Sequence, residues 1–308
     1  MKNYIKKEMD RMKFVTAKNG DEQFVGVLHK DGDKVLPVSV AEQKLFGTSN
    51  CPETLIDCIA LGEKFIDLTA TVLEAATEDL YLPLSSVQLL APIPRPRKNI
   101  FCVGKNYVDH ALELGSKEDI PEHILVFTKA PTTVTGHGGI IPLHSEVTGN
   151  LDYEGELAIV IGKPGKGIKQ EDALDHIFGY TIINDVTARD LQFRHKQYFI
   201  GKSLDGSCPM GPYIVPASAI TNPNQLDIET KVNGEVRQSS NTEHFIFTIE
   251  TIISELSKGM TLEAGDIIIT GTPAGVGSGF NPPRFLKAGD KVEITIEGIG
   301  TLENIVGE

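Results

Sequence analysis

The stretch Asp152-Tyr153-Glu154-Gly155-Glu156-Leu157 runs into an apolar, strand-like segment. Side chains of a strand alternate faces, so Asp152, Glu154 and Glu156 are expected to point the same way. Carboxylates that close repel each other, and a hard divalent cation is the usual remedy. The plainer alternative is a solvated face whose repulsion is screened by water. A second run, Tyr180-Thr181-Ile182-Ile183-Asn184-Asp185, ends in a third carboxylate. Asp185 suits either a ligand or base at a buried strand end, or an N-cap for the helix that follows.

Gly201-Lys202-Ser203 sets a lysine between small residues. Three carboxylates around a doubly charged cation leave one net negative charge, which an ammonium would neutralise while holding an anionic substrate. A surface lysine in a turn is the ordinary alternative. The loop Gly271-Thr272-Pro273-Ala274-Gly275-Val276-Gly277 can present N–H groups and a hydroxyl to a carboxylate or phosphate. No Gly-Lys-Ser/Thr follows it, so it is not a phosphate-binding P-loop. His110 and Glu113 stand three apart, neighbours on a helical turn. A carboxylate beside an imidazole raises its basicity and orients it as a general base. An exposed helical pair is the competing reading.

These side chains need a scaffold. Strand-like runs are expected at residues 99–103, 125–128, 157–161, 180–184, 213–215, 227–232, 267–270 and 292–296. Asn233-Gly234 signals a tight hairpin turn, as does Asp31-Gly32-Asp33 between residues 24–28 and 34–38. Helices are expected over 171–177, 188–196 and 248–258, the last closed by Gly259 as C-cap, and over 55–76 despite Gly62. Many strands with few helices make a β-rich α+β architecture, not a doubly wound sheet. The run Ala91-Pro92-Ile93-Pro94-Arg95-Pro96 suits neither a helix interior nor a central strand. It divides a small β-rich unit, 1–95, from the main unit, 96–308. Residues before Met12 are expected to be a frayed extension.

Composition narrows the function. Acidic residues number 42 against 29 basic ones, giving a formal charge of −13. That balance argues against nucleic acid and against a basic membrane-surface helix. No apolar run approaches the ~20 residues that cross a bilayer. The four cysteines form no Cys-x-x-Cys pair, so neither a zinc site nor a disulfide framework is expected, and a cytoplasmic location fits.

Taken in order, several motifs resemble the fumarylacetoacetate hydrolase superfamily. They are Gly104-Lys105-Asn106-Tyr107, His110 with Glu113, Asp152-Tyr153-Glu154-Gly155-Glu156-Leu157, Asn184-Asp185-Val186-Thr187-Ala188-Arg189-Asp190, Gly201-Lys202-Ser203 and the 271–277 loop. They span residues 97–308. The resemblance implies a rolled mixed β-sheet, a homodimer, and a Mg²⁺ or Mn²⁺ ion held by Glu154, Glu156 and Asp185. In that family the position of Asp152 is not a ligand. Lys202 would contact the substrate, Arg189 and Gln192 would line its pocket, and Thr272 would hydrogen-bond its carboxylate. His110 and Glu113 would sit on a lid, together with residues 115–122, and activate water.

The resemblance further implies a small 2-oxo or diketo acid as substrate. The expected reaction is metal-dependent cleavage of a C–C bond: oxaloacetate decarboxylation, or hydrolysis of an acylpyruvate or fumarylpyruvate. The alternatives are isomerisation or tautomerisation of 2-hydroxy-dienoic or oxaloacetate enol acids, and a non-catalytic metal- or metabolite-binding protein that keeps the fold.

Overall fold

The computed structural model describes residues 12–308, so the expected frayed extension lies outside the described residues. The strand Gly155–Ile161 shows how the layers arise. Leu157, Ile159 and Ile161 join one core and Ala158 and Val160 another, as a period of two requires. A strand buried on both faces belongs in the middle of a sheet. It lies within a twelve-stranded sheet, between Ile177–Asn184 and Ile267–Ile269. The sheet is mixed: Ile267–Ile269 runs parallel to Ile100–Gly104, and Val134–Thr135 parallel to Cys208–Pro216. The fold is β-rich α+β, as expected.

A five-stranded sheet, including Asp227–Val232, Lys291–Ile296 and Gly300–Gly307, covers one face. Its Ile228, Ile294 and Leu302 share a core with Leu157, Ile159 and Ile182. On the other face Leu55, Ile59 and Phe65 pack with Ala158, Val160 and Ile214. Gly155 stands where the sheets meet. A Cβ there would lie 2.3 Å from the Thr230 hydroxyl, so no larger residue fits without displacing the second sheet.

Both expected hairpins are present. Glu22–Leu28 pairs with Lys34–Pro37, and Asn233 and Gly234 turn with positive φ values of 53° and 78° between Asp227–Val232 and Glu235–Asn241. The helix expected over 55–76 is two helices, Leu55–Ala60 and Glu63–Ala75, because Gly62 takes φ 59°. The segment expected to be helical from 171 is a 3₁₀ helix, Gln170–His176. Its buried residues Ala173 and His176 stand three apart, which matches the 3₁₀ period. Helix Ile249–Ser257 begins at its Thr248 cap, but its C-cap is right-handed Lys258, not a left-handed Gly259. The unit expected at 1–95 meets the rest through Phe14 opposite Ile214 in the same sheet.

Candidate active site

Strand register brings the acidic residues together. Gly155 lies opposite Asn184, so Glu154 and Glu156 flank the point where Ile177–Asn184 delivers Asp185. The Asp185 N–H donates to the Glu154 carbonyl at 2.8 Å and locks that end. Glu154, Glu156 and Asp185 are all buried, with one oxygen from each within 4.8 Å of the others. Asp185 is not the helix cap: Arg189–His195 starts from Ala188, without a side-chain cap.

Asp152 departs from the strand-face expectation. The chain leaves the strand Leu151–Asp152 and re-enters a different pairing at Gly155, so the alternation breaks at Tyr153 and Glu154. The Asp152 carboxylate instead accepts N–H bonds from Gly277 (2.7 Å) and Ser278 (2.9 Å) and the Arg189 Nε–H (2.8 Å). Its lone pairs are committed to holding a loop and an arginine.

Three buried cations serve the cluster. Lys202 Nζ donates to Glu154 Oε2 at 2.6 Å and to Asp185 Oδ2 at 2.8 Å. Arg189 Nη2 lies 2.7 Å from Glu154 Oε1, and Nη1 donates to Gln192 Oε1 at 3.2 Å. Lys129, fully buried, places Nζ 2.8 Å from Asp185 Oδ1 and donates to the Val186 carbonyl at 3.0 Å. Burial works to raise the Glu154 pKa, but Lys202 and Arg189 outweigh it and hold the carboxyl down at about 2. Burial also opposes the charge on Lys202, yet Asp185 and Glu154 more than offset this and raise its pKa. Among the described residues no cation pairs with Glu156. Burial, then the charges of Asp185 and Glu154, push its carboxyl well above the usual range. The excess negative charge and the all-oxygen donor set fit a hard dication such as Mg²⁺ or Mn²⁺, held by Glu154, Glu156 and Asp185.

The 271–277 loop does present its N–H groups to carboxylates, but to those of the protein. Gly271 N–H donates to Glu156, and Gly275 N–H donates to Glu113 Oε1 at 2.9 Å. Gly275 is obligatory here: φ is 103°, and a Cβ would meet the Arg237 carbonyl at 1.9 Å. Glu113, so anchored, lies 3.4 Å from His110 Nδ1 across one turn of helix Val108–Glu113. The pair is mostly buried. The Thr272 hydroxyl donates to the Gly155 carbonyl at 2.9 Å and accepts from Gln238 at 2.7 Å. Its contact with a substrate carboxylate would require that hydroxyl to turn.

A cavity of about 200 Å³ gathers His110, Glu154, Glu156, Arg189, Gln192 and Lys202, with Thr272 at its wall. Neither Glu113, which lies 3.4 Å from His110 Nδ1, nor Asp185, which pairs with Lys202, is among its lining residues. Lys129 was not singled out from the sequence. The only signal is its place at the end of the strand-like run Leu125-Val126-Phe127-Thr128; the strand is partly exposed and Lys129 is its one buried residue, so a carboxylate partner is needed there.

The fumarylacetoacetate (FAA) hydrolase C-terminal family model matches residues 99–307. The chain belongs to the fumarylacetoacetate hydrolase superfamily and is an enzyme of that class, whose members act on small-molecule acids. It is 57% identical over 302 residues to the oxaloacetate tautomerase YisK of Bacillus subtilis (strain 168), covering 96% of this chain and 100% of that one. Among solved structures, a fumarylacetoacetate hydrolase from Exiguobacterium antarcticum is 42% identical at TM-score 0.79, covering 96% of this chain and 99% of that one. A 2-hydroxyhepta-2,4-diene-1,7-dioate isomerase from Mycobacterium marinum is 32% identical at TM-score 0.71, covering 96% and 98%. Among the described residues no helix is long and apolar enough to cross a membrane.

Proposed function

We propose that this enzyme interconverts the enol and keto forms of oxaloacetate. The observation that carries the reading is the 57% identity with an oxaloacetate tautomerase along that protein's whole length. The buried charge cluster in and behind the cavity wall supports it. Four buried carboxylates, Asp152, Glu154, Glu156 and Asp185, face three buried cations, Lys129, Arg189 and Lys202. One net negative charge remains, and a dication would turn it into one net positive charge that attracts a carboxylate substrate. A bound Mg²⁺ or Mn²⁺ would supply Lewis-acid polarisation of the keto oxygen.

The chain's own residues do the rest. Arg189 and Gln192 hold each other and shape the wall against which the substrate lies. Lys202 stays protonated and stabilises charge that develops on the C2 oxygen. His110, with Nδ1 turned toward Glu113, offers its other nitrogen to the cavity. In the keto-to-enol direction a C3–H bond breaks, His110 takes that proton and then releases it to solvent, and the C2 oxygen gains one proton from solvent. The reverse direction returns a proton from His110 to C3.

Cleavage is the second reading, favoured by the His110–Glu113 pair, which suits activation of water. Activated water serves hydrolysis of an acylpyruvate; decarboxylation needs none, since breaking the C3–C4 bond of oxaloacetate expels CO₂ and leaves the enolate of pyruvate, whose C2 oxygen the same groups would stabilise. Loss of enol absorbance, followed together with pyruvate by mass, separates the reactions. Equilibration without pyruvate supports the tautomerase, whereas pyruvate forming in step with substrate loss assigns cleavage. His110→Ala should slow tautomerisation by about 10²–10⁴-fold. An undiminished rate would remove His110 from the mechanism.

A further inference from the structure

The cavity holds one more cation, Lys105, and its circumstances differ from those of the others. Lys202 binds two carboxylates, Arg189 binds two carboxylates and Gln192, and Lys129 binds Asp185 and a carbonyl. All three are held by buried carboxylates inside the protein, even where, as with Lys202 and Arg189, they also line the cavity. Among the described residues Lys105 has a single carboxylate partner, Asp119, at 2.8 Å, and both side chains reach solvent, at 24% and 42% exposure. Asp119 lines the same cavity.

The backbone aims Lys105 at a cost. Its φ is 53°, in the left-handed region that glycine adopts freely and a lysine does not. The neighbouring Asn106 prevents relaxation. Its amide donates to the Thr270 carbonyl at 2.8 Å and the Phe247 carbonyl at 3.1 Å, and its oxygen accepts from Phe247 N–H at 2.8 Å. A strained lysine kept at the rim of a charged cavity points to a use for its ammonium. Asp119 is held independently of Lys105, since its second oxygen accepts from Ser116 N–H at 2.9 Å and Ser116 Oγ at 3.1 Å. The ion pair can therefore open without unravelling that turn.

We propose that Lys105 recognises the distal carboxylate of a dicarboxylate substrate, which displaces Asp119 from its ammonium. This deepens the oxaloacetate reading and rests on it. One consequence concerns the outcome of the reaction. Decarboxylation breaks the C3–C4 bond, sends its electrons into the enolate and discharges the C4 carboxylate as neutral CO₂. A cation on that carboxylate stabilises the starting state more than the transition state, so Lys105 steers the substrate away from CO₂ loss.

The test uses the full chain loaded with Mn²⁺, with Lys105→Met to remove the charge and Lys105→Arg to restore it. Two substrates are compared, oxaloacetate and its 4-ethyl half-ester, in which an ethyl ester replaces the distal charge. The wild type should prefer the diacid, and Lys105→Met should shrink that preference about 10- to 100-fold, through KM more than kcat, while raising pyruvate formed per turnover. Lys105→Arg should recover most of the preference. A Met variant that keeps the wild-type preference overturns the proposal.

Binding gives a readout that survives failure of the functional reading. Calorimetry would compare L-malate with 2-hydroxybutyrate, which lacks the second carboxylate. Stronger malate binding by the wild type, lost in Lys105→Met, supports the assignment even if oxaloacetate is not turned over. No malate preference in the wild type overturns it. Asp119→Asn keeps the acceptor for Ser116 and frees Lys105, so malate should bind more tightly. Weaker binding would defeat the exchange.

Discussion

Glu42 and Glu156 are both buried glutamates, 3% and 2% exposed, yet their surroundings differ in kind. Glu42 accepts from Asn50 N–H (2.8 Å), Asn50 Nδ2 (2.7 Å), Cys51 N–H (2.9 Å) and the Thr48 hydroxyl (3.1 Å). Neutral donors fill its lone pairs, and no other carboxylate is among its partners. Burial alone would raise its pKa, but the Cys51 N–H and the Asn50 donors outweigh burial and lower it. Glu156 accepts one N–H, from Gly271, and faces two carboxylates. One carboxylate is a finished structural brace. The other is left wanting positive charge, and only the second arrangement can take up a dication.

The same substitution should therefore have opposite consequences at the two positions. Glu156→Gln should abolish Mn²⁺ binding measured by calorimetry and reduce turnover by more than about 10³-fold. The melting temperature of the metal-free protein should hold or rise, because a repelled carboxyl becomes a neutral amide. Retained metal-stimulated turnover would break the distinction. Lys129→Met probes the acidic cluster from its cationic side. It leaves Asp185 without that ion pair and should cost about 3–5 kcal/mol in denaturant unfolding of the metal-free protein. Added Mn²⁺ should recover part of that loss, and a wild-type unfolding midpoint would show the pair to be dispensable. Glu42→Gln should cost about 1–3 kcal/mol by removing acceptor capacity from the 48–51 loop, with kcat unaffected. A large fall in kcat would show that the brace reaches the site.

The smallest effect is the pH dependence. For Glu42 the folded carboxyl titrates below its ordinary 4.5, so its stabilisation is complete above 4.5 and fades as pH falls through the lowered value. Glu156 titrates above 4.5 when folded, so its contribution is complete below 4.5 and is lost as pH rises through the raised value. Unfolding curves of Glu42→Gln should thus approach wild type in acid. Metal-free Glu156→Gln should gain on wild type in base. Parallel curves at all pH values would erase the contrast.

Much of the site was legible because its chemistry is local in sequence. Glu154 and Glu156 stand two apart, His110 and Glu113 three apart, and Asp185 closes an apolar run. Helical periodicity puts His110 beside Glu113, while Glu154 and Glu156 meet across the start of a strand whose pairing begins only at Gly155. The strand runs and the Asn233-Gly234 turn were legible for the same reason. What misled was the assumption of one continuous strand, which made Asp152 a companion of Glu154. The broken pairing at Tyr153 could not be read from alternation.

The sequence by itself determined residue types, short-range spacing and secondary-structure periods, since those depend on neighbours within a few positions. Only the tertiary structure decided which carboxylates keep free lone pairs. Asp152 lost its own to Gly277, Ser278 and Arg189, and Glu42 to the 48–51 loop. Lys129 stands 56 positions from Asp185, and Lys105 gains its meaning only from the cavity it shares with Lys202. Pairings across such separations follow from how buried sheets stack and which charges must then be compensated away from water. No local pattern records that requirement.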